Sequence, residues 1–300
     1  MRILVIGASS FIGREVYFYA KQQGHCVLGT RYSSKDDELL YFDLFTHDIE
    51  DVIPDWFVSV KESLYCIICS AIPKIDKCKM NLELSEMLNV TKTIKTVDSL
   101  SRMGFKVVFL SSEAVFDGEK GYYNENDRVN PVNEYGKQKV KVETHILSFY
   151  PKHLIFRLSM VVSSKVAKGH LFYDWYNNIE KKLPIKCIRG QIFSPTDVED
   201  VAKGILIALE KDLEGVYHLS NPEFFLRDEL ARLFILQSRL NVMIDVLDME
   251  KFKFFDKRTL KTYLDGSKFT NRTGFCFNSI SNIMHNFWSN TTGKKLIKED

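Results

Sequence analysis

Residues 3–13 read ILVIGASSFIG: an apolar run, a break of four small residues, and a second apolar start at Phe11. Such a break marks the corner between a buried strand and a helix. Gly7, Ser10 and Gly13 are spaced G-x-x-S-x-x-G across it. In a strand–turn–helix of this kind the first glycine allows the sharp bend and the last lets helix and strand pack closely. The helix N-terminus then points N–H groups at a pyrophosphate. The middle place ordinarily holds glycine, because the backbone passes close to the phosphates. Serine is small enough to fit there, and its hydroxyl offers a donor. Taken alone, the stretch leaves two readings open: a dinucleotide turn, or the corner of an ordinary α/β core.

The rest of the chain repeats the rhythm. RILVIG precedes a helical stretch at 11–23, SLYCIICSA one at 79–103, FKVVFLSS one at 134–149 and HLIFRLS one at 170–182. Shorter strands are expected at 25–30 (HCVLGT) and 39–42 (LLYF). Continuous apolar strands alternating with helices predict an α/β fold with a doubly wound, parallel, Rossmann-type sheet. Beyond about residue 160 the rhythm loosens, and 223–300 is rich in Phe, Lys and Asn with few clear strands. The expected organisation is an NAD(P)-binding Rossmann domain over 1–160, to which 190–222 returns. A smaller C-terminal α/β substrate domain occupies 161–300.

Composition narrows the classes. The 300 residues are 45% hydrophobic and 27% charged, with a formal net charge of +2, which suits a globular protein without a nucleic-acid footprint. No apolar run is long enough for a membrane span, and no signal peptide is visible, so a cytoplasmic location is expected. The six cysteines are scattered. Cys66-x-x-Cys69 lies in a strand pattern, where side chains three apart point to opposite faces, so a metal or redox pair is disfavoured. The seven histidines show no ligand spacing, and no metal site is expected.

Two further stretches carry chemistry. The second strand ends VLGTRYSSK, with no acid until Asp36. An acid here would accept from the ribose hydroxyls of NAD; Arg31 and Lys35 instead suit a 2′-phosphate, which favours NADP(H) over NAD(H). The competing reading of Arg31 is a solvated loop charge. Further on, Tyr135 and Lys139 form Tyr-x-x-x-Lys, which places both on one helix face. A nearby ammonium is expected to draw the tyrosine pKa down and fit it for general acid catalysis. About two dozen residues upstream, a strand ends in Ser111 and Ser112, where a hydroxyl can bond the carbonyl that Tyr135 would protonate.

These elements together resemble the extended short-chain dehydrogenase/reductases, most closely the dTDP-4-dehydrorhamnose reductase group. GASSFIG matches that group's dinucleotide turn (Gly7, Ser10, Phe11, Ile12, Gly13), with Ser10 at the middle glycine. YFDL matches its adenine-contacting strand end (Asp43, Leu44). CSAIPKIDKC resembles the loop whose Cys69, Ser70 and Ala71 would line the cofactor. SSEAVFDG, NPVNEYGKQKVKVE, HLIFRLSMV, GQIFSPTDVEDVAKGI and RTLKTYLDGSKF follow in the family's order, and Asn89 matches a mainly structural asparagine. The resemblance implies Tyr135 as proton donor. It makes Lys139 the residue that tunes Tyr135 and holds the nicotinamide ribose, and Ser112 the one that binds the substrate carbonyl.

The chain departs from the family on the substrate side. Glu113 replaces an aspartate, Ala114 a tyrosine, Met160 a tryptophan and Gly190 an acid. Arg258 is a candidate for the substrate's pyrophosphate. The implied activity is NADP(H)-dependent reduction of a 4-keto nucleotide sugar in surface-polysaccharide precursor synthesis. Its small-molecule substrate is a nucleotide sugar, and a homodimer is expected by analogy. Alternatives are a nucleotide-sugar epimerase or dehydratase of the same superfamily, or a non-catalytic cofactor-binding subunit such as the regulatory partner of methionine adenosyltransferase.

Overall fold

The computed structural model describes residues 1–296 apart from Ala71, Arg239 and Asn241, and side chains up to residue 291. Seven strands form the main sheet: β1 (Arg2–Ile6), β2 (Cys26–Arg31), β3 (Leu40–Tyr41), β4 (Leu64–Ile68), β5 (Lys106–Ser112), β6 (Leu154–Leu158) and β7 (Gly215–Leu219). Their order is β7-β6-β5-β4-β1-β2-β3, and every pairing is parallel. The chain winds outward in both directions from β1 and β4. Ligands of such sheets sit at this switch point, beyond the carboxyl ends of the strands.

Alternation along the strands divides the core. Ile3 and Val5, Tyr65 and Ile67, and Val108 and Leu110 face one layer, with Val16, Tyr17 and Ala20 of α1 (Phe11–Gln22). Leu4 and Ile6, Cys66 and Ile68, and Val107 and Phe109 face the other, with Val97 and Leu100 of α2 (Thr93–Arg102) and Val142 and Ile146 of α3 (Glu134–Phe149). A period of two that is apolar at every position marks a strand covered on both sides. Cys66 and Cys69 fall on opposite sides of the sheet as free thiols.

Expectation and structure differ at 79–103. The helical region starts earlier, at Ile75–Met80, and breaks at Asn81. It resumes over Leu82–Glu86 and passes through a π-helical turn at Met87–Lys92 before α2. The π turn brings Asn89 inward, where its Oδ1 accepts from the Ile72 N–H (2.9 Å) and its Nδ2 donates to the Ile72 carbonyl (3.1 Å) and to Gln138 (2.7 Å). A buried loop peptide thereby finds partners that a regular helix would not offer.

A separate apolar cluster joins α4 (Leu171–Glu180), α6 (Arg227–Ser238) and α7 (Ile280–Leu296) through Phe172, Trp175, Phe234 and Phe287. A parallel pair of short strands, Ile185–Ile188 and Ile244–Leu247, flanks it. Trp175 is part of this core, 2% exposed. Between α4 and α6, α5 (Val198–Glu210) and β7 return to the main sheet, with Asp197 capping the helix by accepting from the Glu199 N–H.

Candidate active site

The cleft begins where β1 ends. Gly7 has φ +81°, and a Cβ on it would lie 3.2 Å from the Ser70 nitrogen and 3.3 Å from the Cys69 carbonyl carbon. Its N–H donates to Thr30 Oγ1 at the end of β2 (3.0 Å). Gly13 is tighter still: a Cβ there would meet the Gly7 carbonyl oxygen at 2.2 Å. Gly13 therefore excludes any side chain, and at Gly7 the positive φ and the close Ser70 and Cys69 backbone make one strained.

Ser10 plays a different part from the one its hydroxyl suggested. It is the N-cap of α1: Oγ accepts from the Gly13 N–H (3.1 Å) and donates to the Cys69 carbonyl (3.5 Å). The hydroxyl is thus spent inside the turn. The N–H groups of Phe11 and Ile12 remain at the helix end, where an α-helix supplies no internal partner. Phe11 stacks on His170 (5.3 Å between centroids).

Beyond the turn, Gly7, Thr30, Arg31, Asp43, Leu44 and Ser70 border a cavity of about 530 Å³. Arg31 donates through Nη1 to the Ser34 carbonyl (2.8 Å) and lies 3.6 Å from the exposed Asp37, while its Nε is buried without a partner. The Asp43 carboxylate closes its own turn, accepting from the Phe45 N–H (2.9 Å) and the Thr46 hydroxyl (3.0 Å). Ala71, also expected here, lies outside the described residues.

Tyr135, Lys139 and Ser112 converge on a smaller cavity of about 160 Å³, together with Ile12, Cys69 and Ser70. Asn133 caps α3 by accepting from the Gly136 N–H (2.9 Å), and Gly136 packs so closely that a Cβ would lie 2.0 Å from the Ala114 carbonyl. This contact holds Tyr135 at the end of β5, beside Ser112. Lys139 Nζ donates to the Leu110 carbonyl (2.8 Å) and sits 4.6 Å from the Phe109 ring centre. One helical step further, the buried Glu143 holds Arg157 of β6 through contacts of 2.8–3.2 Å.

Burial governs the titration here and reverses one expectation. It pushes the Tyr135 phenol above its ordinary value, with the nearby Cys78 and Glu113 adding to the rise; only the Ser112 hydroxyl draws it back. The expected lowering by Lys139 is not what this site shows. Burial instead lowers Lys139 to about 8, with Glu143 partly restoring it. Two buried groups of opposite charge type each favour their neutral form when desolvation outweighs their mutual attraction.

On the far side of Tyr135 a cavity of about 430 Å³ is bordered by Ser112, Glu113, Met160, Gln191 and Arg258. The Glu113 carboxyl lies near the Thr262 hydroxyl and the Met160 backbone, which favour its charged form, but its Oε2 is buried without a partner and burial raises it to about 8. Arg258 lies over the Phe254 ring (4.4 Å) and is bound to Asp76 (2.8 Å). Asp76 also accepts from the N–H groups of Phe255 (3.0 Å) and Asp256 (3.2 Å), and Asp256 accepts from the Glu134 N–H (2.8 Å). The late segment is thereby tied to the start of the Tyr135 helix.

Sequence reasoning missed Thr30, Asn133, Gln191 and Arg227. Asn133, a side-chain acceptor three residues before Gly136, was readable as an N-cap. Thr30, Gln191 and Arg227 carry no local signal, because only the folded sheet brings them to the cleft.

Known proteins similar to this chain share its family and differ in role. The family model described as the RmlD substrate binding domain matches residues 1–290. A probable low-salt glycan biosynthesis reductase of Haloferax volcanii is 26% identical over 228 residues, covering 74% of this chain and 75% of that protein. Methionine adenosyltransferase 2 subunit beta of Xenopus tropicalis is 27% identical over 240 residues, covering 77% and 70%. Among solved structures, dTDP-4-dehydrorhamnose reductase from Bacillus anthracis in complex with NADP superposes with a TM-score of 0.82 at 21% identity, covering 96% of this chain and 98% of that one.

Proposed function

The chain belongs to the RmlD substrate binding domain family of extended short-chain dehydrogenase/reductases, and from that premise we propose that it reduces a 4-keto nucleotide sugar with NADP(H), in the cytoplasmic synthesis of surface-polysaccharide precursors. The observation that carries the reading is the position of Tyr135. It borders both the small cavity above Lys139 and the larger one lined by Glu113 and Arg258.

The residues suit a nicotinamide dinucleotide. Gly7 leaves room that a Cβ would fill, and Ser70 Oγ, Ser111 Oγ and Arg31 Nε are buried polar atoms without partners along the cleft. Gly7, Gly13 and the N–H groups of Phe11 and Ile12 would take the pyrophosphate. Asp43 and Leu44 would border the adenine, and Arg31 a 2′-phosphate. The nicotinamide supplies the hydride when bound. Tyr135 Oη, kept protonated by burial, then holds the proton that the sugar oxygen needs. Ser112 Oγ orients that oxygen, and Lys139 supports the tyrosine and the ribose. Glu113, neutral up to about pH 8, offers the sugar a hydrogen bond rather than a charge. On this reading the residues from 161 onward, apart from the returning α5 and β7, serve mainly the sugar nucleotide, and the protein works as a homodimer.

A second reading, a cofactor-binding subunit without turnover, is favoured by the similarity to methionine adenosyltransferase 2 subunit beta and by the replacements at Glu113, Ala114 and Met160. Titration with NADPH and NADH, followed by assay against 4-keto nucleotide sugars, separates the two. Tighter NADPH binding with turnover is expected. Binding without turnover of any such sugar selects the subunit, and binding of neither cofactor overturns both.

A further inference from the structure

We propose that Arg227 receives an anionic group of the substrate, a phosphate or a sugar carboxylate, at the wall of the Tyr135 cavity. The inference rests on the reading of that cavity as the substrate site. Two short strands, Ile192–Phe193 and Phe225–Leu226, pair antiparallel. They end by laying Arg227 beside Gln191, whose carbonyl accepts from the Arg227 N–H (2.8 Å) and whose Oε1 accepts from Arg227 Nη1 (2.9 Å). Both side chains line the cavity of Tyr135, Ser112 and Glu113. Arg227 also forms the partition to a neighbouring cavity of about 420 Å³, bordered by Asp174, Asn178 and Lys186.

Of the two arginines that line this cavity, Arg227 is the one without a carboxylate in contact with it. Arg157 is held by Glu143, and Arg258 by Asp76. Among the described residues no carboxylate oxygen lies within 4 Å of the Arg227 guanidinium, and its Nε is buried without a hydrogen-bond partner. The groups that face it are Asp174, which acts from farther away, the Cys187 thiol, Gln191 and the Phe193 ring (6.0 Å). A part-buried cation whose contact partner is a neutral amide, with its nearest carboxylate at a distance, is incompletely neutralised. A planar fork with free N–H groups fits a phosphate or carboxylate in bidentate fashion. Gln191 fixes one edge of that fork and leaves the remaining donors to the cavity.

The test uses the full chain and compares wild type with Arg227→Ala and Arg227→Lys. Binding of UDP, dTDP, UDP-glucose and UDP-glucuronate is measured by calorimetry, with NADPH affinity and thermal midpoint as controls of folding. Arg227→Ala is expected to weaken nucleotide binding ten- to a hundredfold while NADPH affinity stays unchanged, and Arg227→Lys to recover part of the loss. A loss shared by UDP, dTDP and both sugar nucleotides assigns the diphosphate; a loss confined to UDP-glucuronate assigns the sugar carboxylate. Equal binding by wild type and a folded Arg227→Ala, or no binding of any of these ligands by wild type, overturns the proposal. If the nucleotide effect appears but no nicotinamide cofactor binds, the reductase reading fails and the anion site stands.

Discussion

The two walls of the cleft are built on different principles. The wall proposed for the cofactor is backbone: Gly7, Gly13 and the Ser10 cap bring main-chain atoms within 3.2 Å of where side chains would begin. The wall proposed for the substrate is side chain: Met160, Gln191, Arg227 and Arg258 line it from separate short segments, Gln191 holding Arg227 and Asp76 holding Arg258. A backbone wall tolerates few residue types. A side-chain wall can exchange its members and keep the fold, and the departures from the family pattern at Glu113, Ala114, Met160 and Gly190 fall on that wall or next to it.

Four changes test this contrast. Tyr135→Phe, at the seam, should cut turnover of a 4-keto nucleotide sugar by about 10²- to 10⁴-fold while leaving NADPH affinity intact; steady-state kinetics beside cofactor titration read both. Unchanged turnover would remove Tyr135 from the chemistry. On the backbone wall, Gly13→Ala places a methyl 2.2 Å from the Gly7 oxygen. It should cost about 3 kcal/mol or more of stability, measured by urea unfolding, and a loss below about 1 kcal/mol would show the wall to be pliable. Arg31→Ala should lower the preference for NADPH over NADH by about tenfold, or ~1.4 kcal/mol, with folding untouched; fluorescence titration of both cofactors decides it.

The fourth effect, on the side-chain wall, shows only as the pH is varied. Glu113 is raised in the folded state from 4.5 to about 8. Between those values the folded protein holds a proton that the unfolded chain has released. The contribution of this carboxyl to stability is therefore fully present below pH 4.5 and is lost as pH rises toward 8, by at most about 1.4 kcal/mol per pH unit. Glu113→Gln cannot titrate, so its thermal midpoint should gain on wild type steadily from pH 5 to 8. Parallel profiles would mean that the carboxyl is solvated.

The same contrast explains what could be read from the sequence. The parallel sheet was legible because both-face burial writes a continuous apolar run, and Tyr135, Lys139 and Ser112 because helix spacing and a strand end place them. Gly7 and Gly13 were legible because a side chain is strained at the first and excluded at the second. The Ser10 hydroxyl read as a free donor, and its role as a cap was not legible because it depends on the bend that Gly7 introduces. The rise in the Tyr135 pKa depends on burial, which spacing does not reveal. Arg227 was invisible because its partner Gln191 arrives through a two-residue strand pair. Arg258 was visible, but its tether Asp76 lies in the region whose helix boundaries were misplaced.

The π-helical turn at Met87–Lys92 sets which lengths of chain the fold can accept. It is a helix that has already absorbed a residue. Deleting one there would restore a regular helix but rotate what precedes it by about 100°, carrying Ser85 away from Gln138, which now donates to it at 2.8 Å. A one-residue insertion between Tyr135 and Glu143 would likewise part Tyr135 from Lys139 or Lys139 from Glu143. Gaps among relatives should therefore avoid 82–102 and 134–149 and gather in exposed turns such as Lys168–Gly169, where a Cβ on the glycine meets nothing within 4 Å.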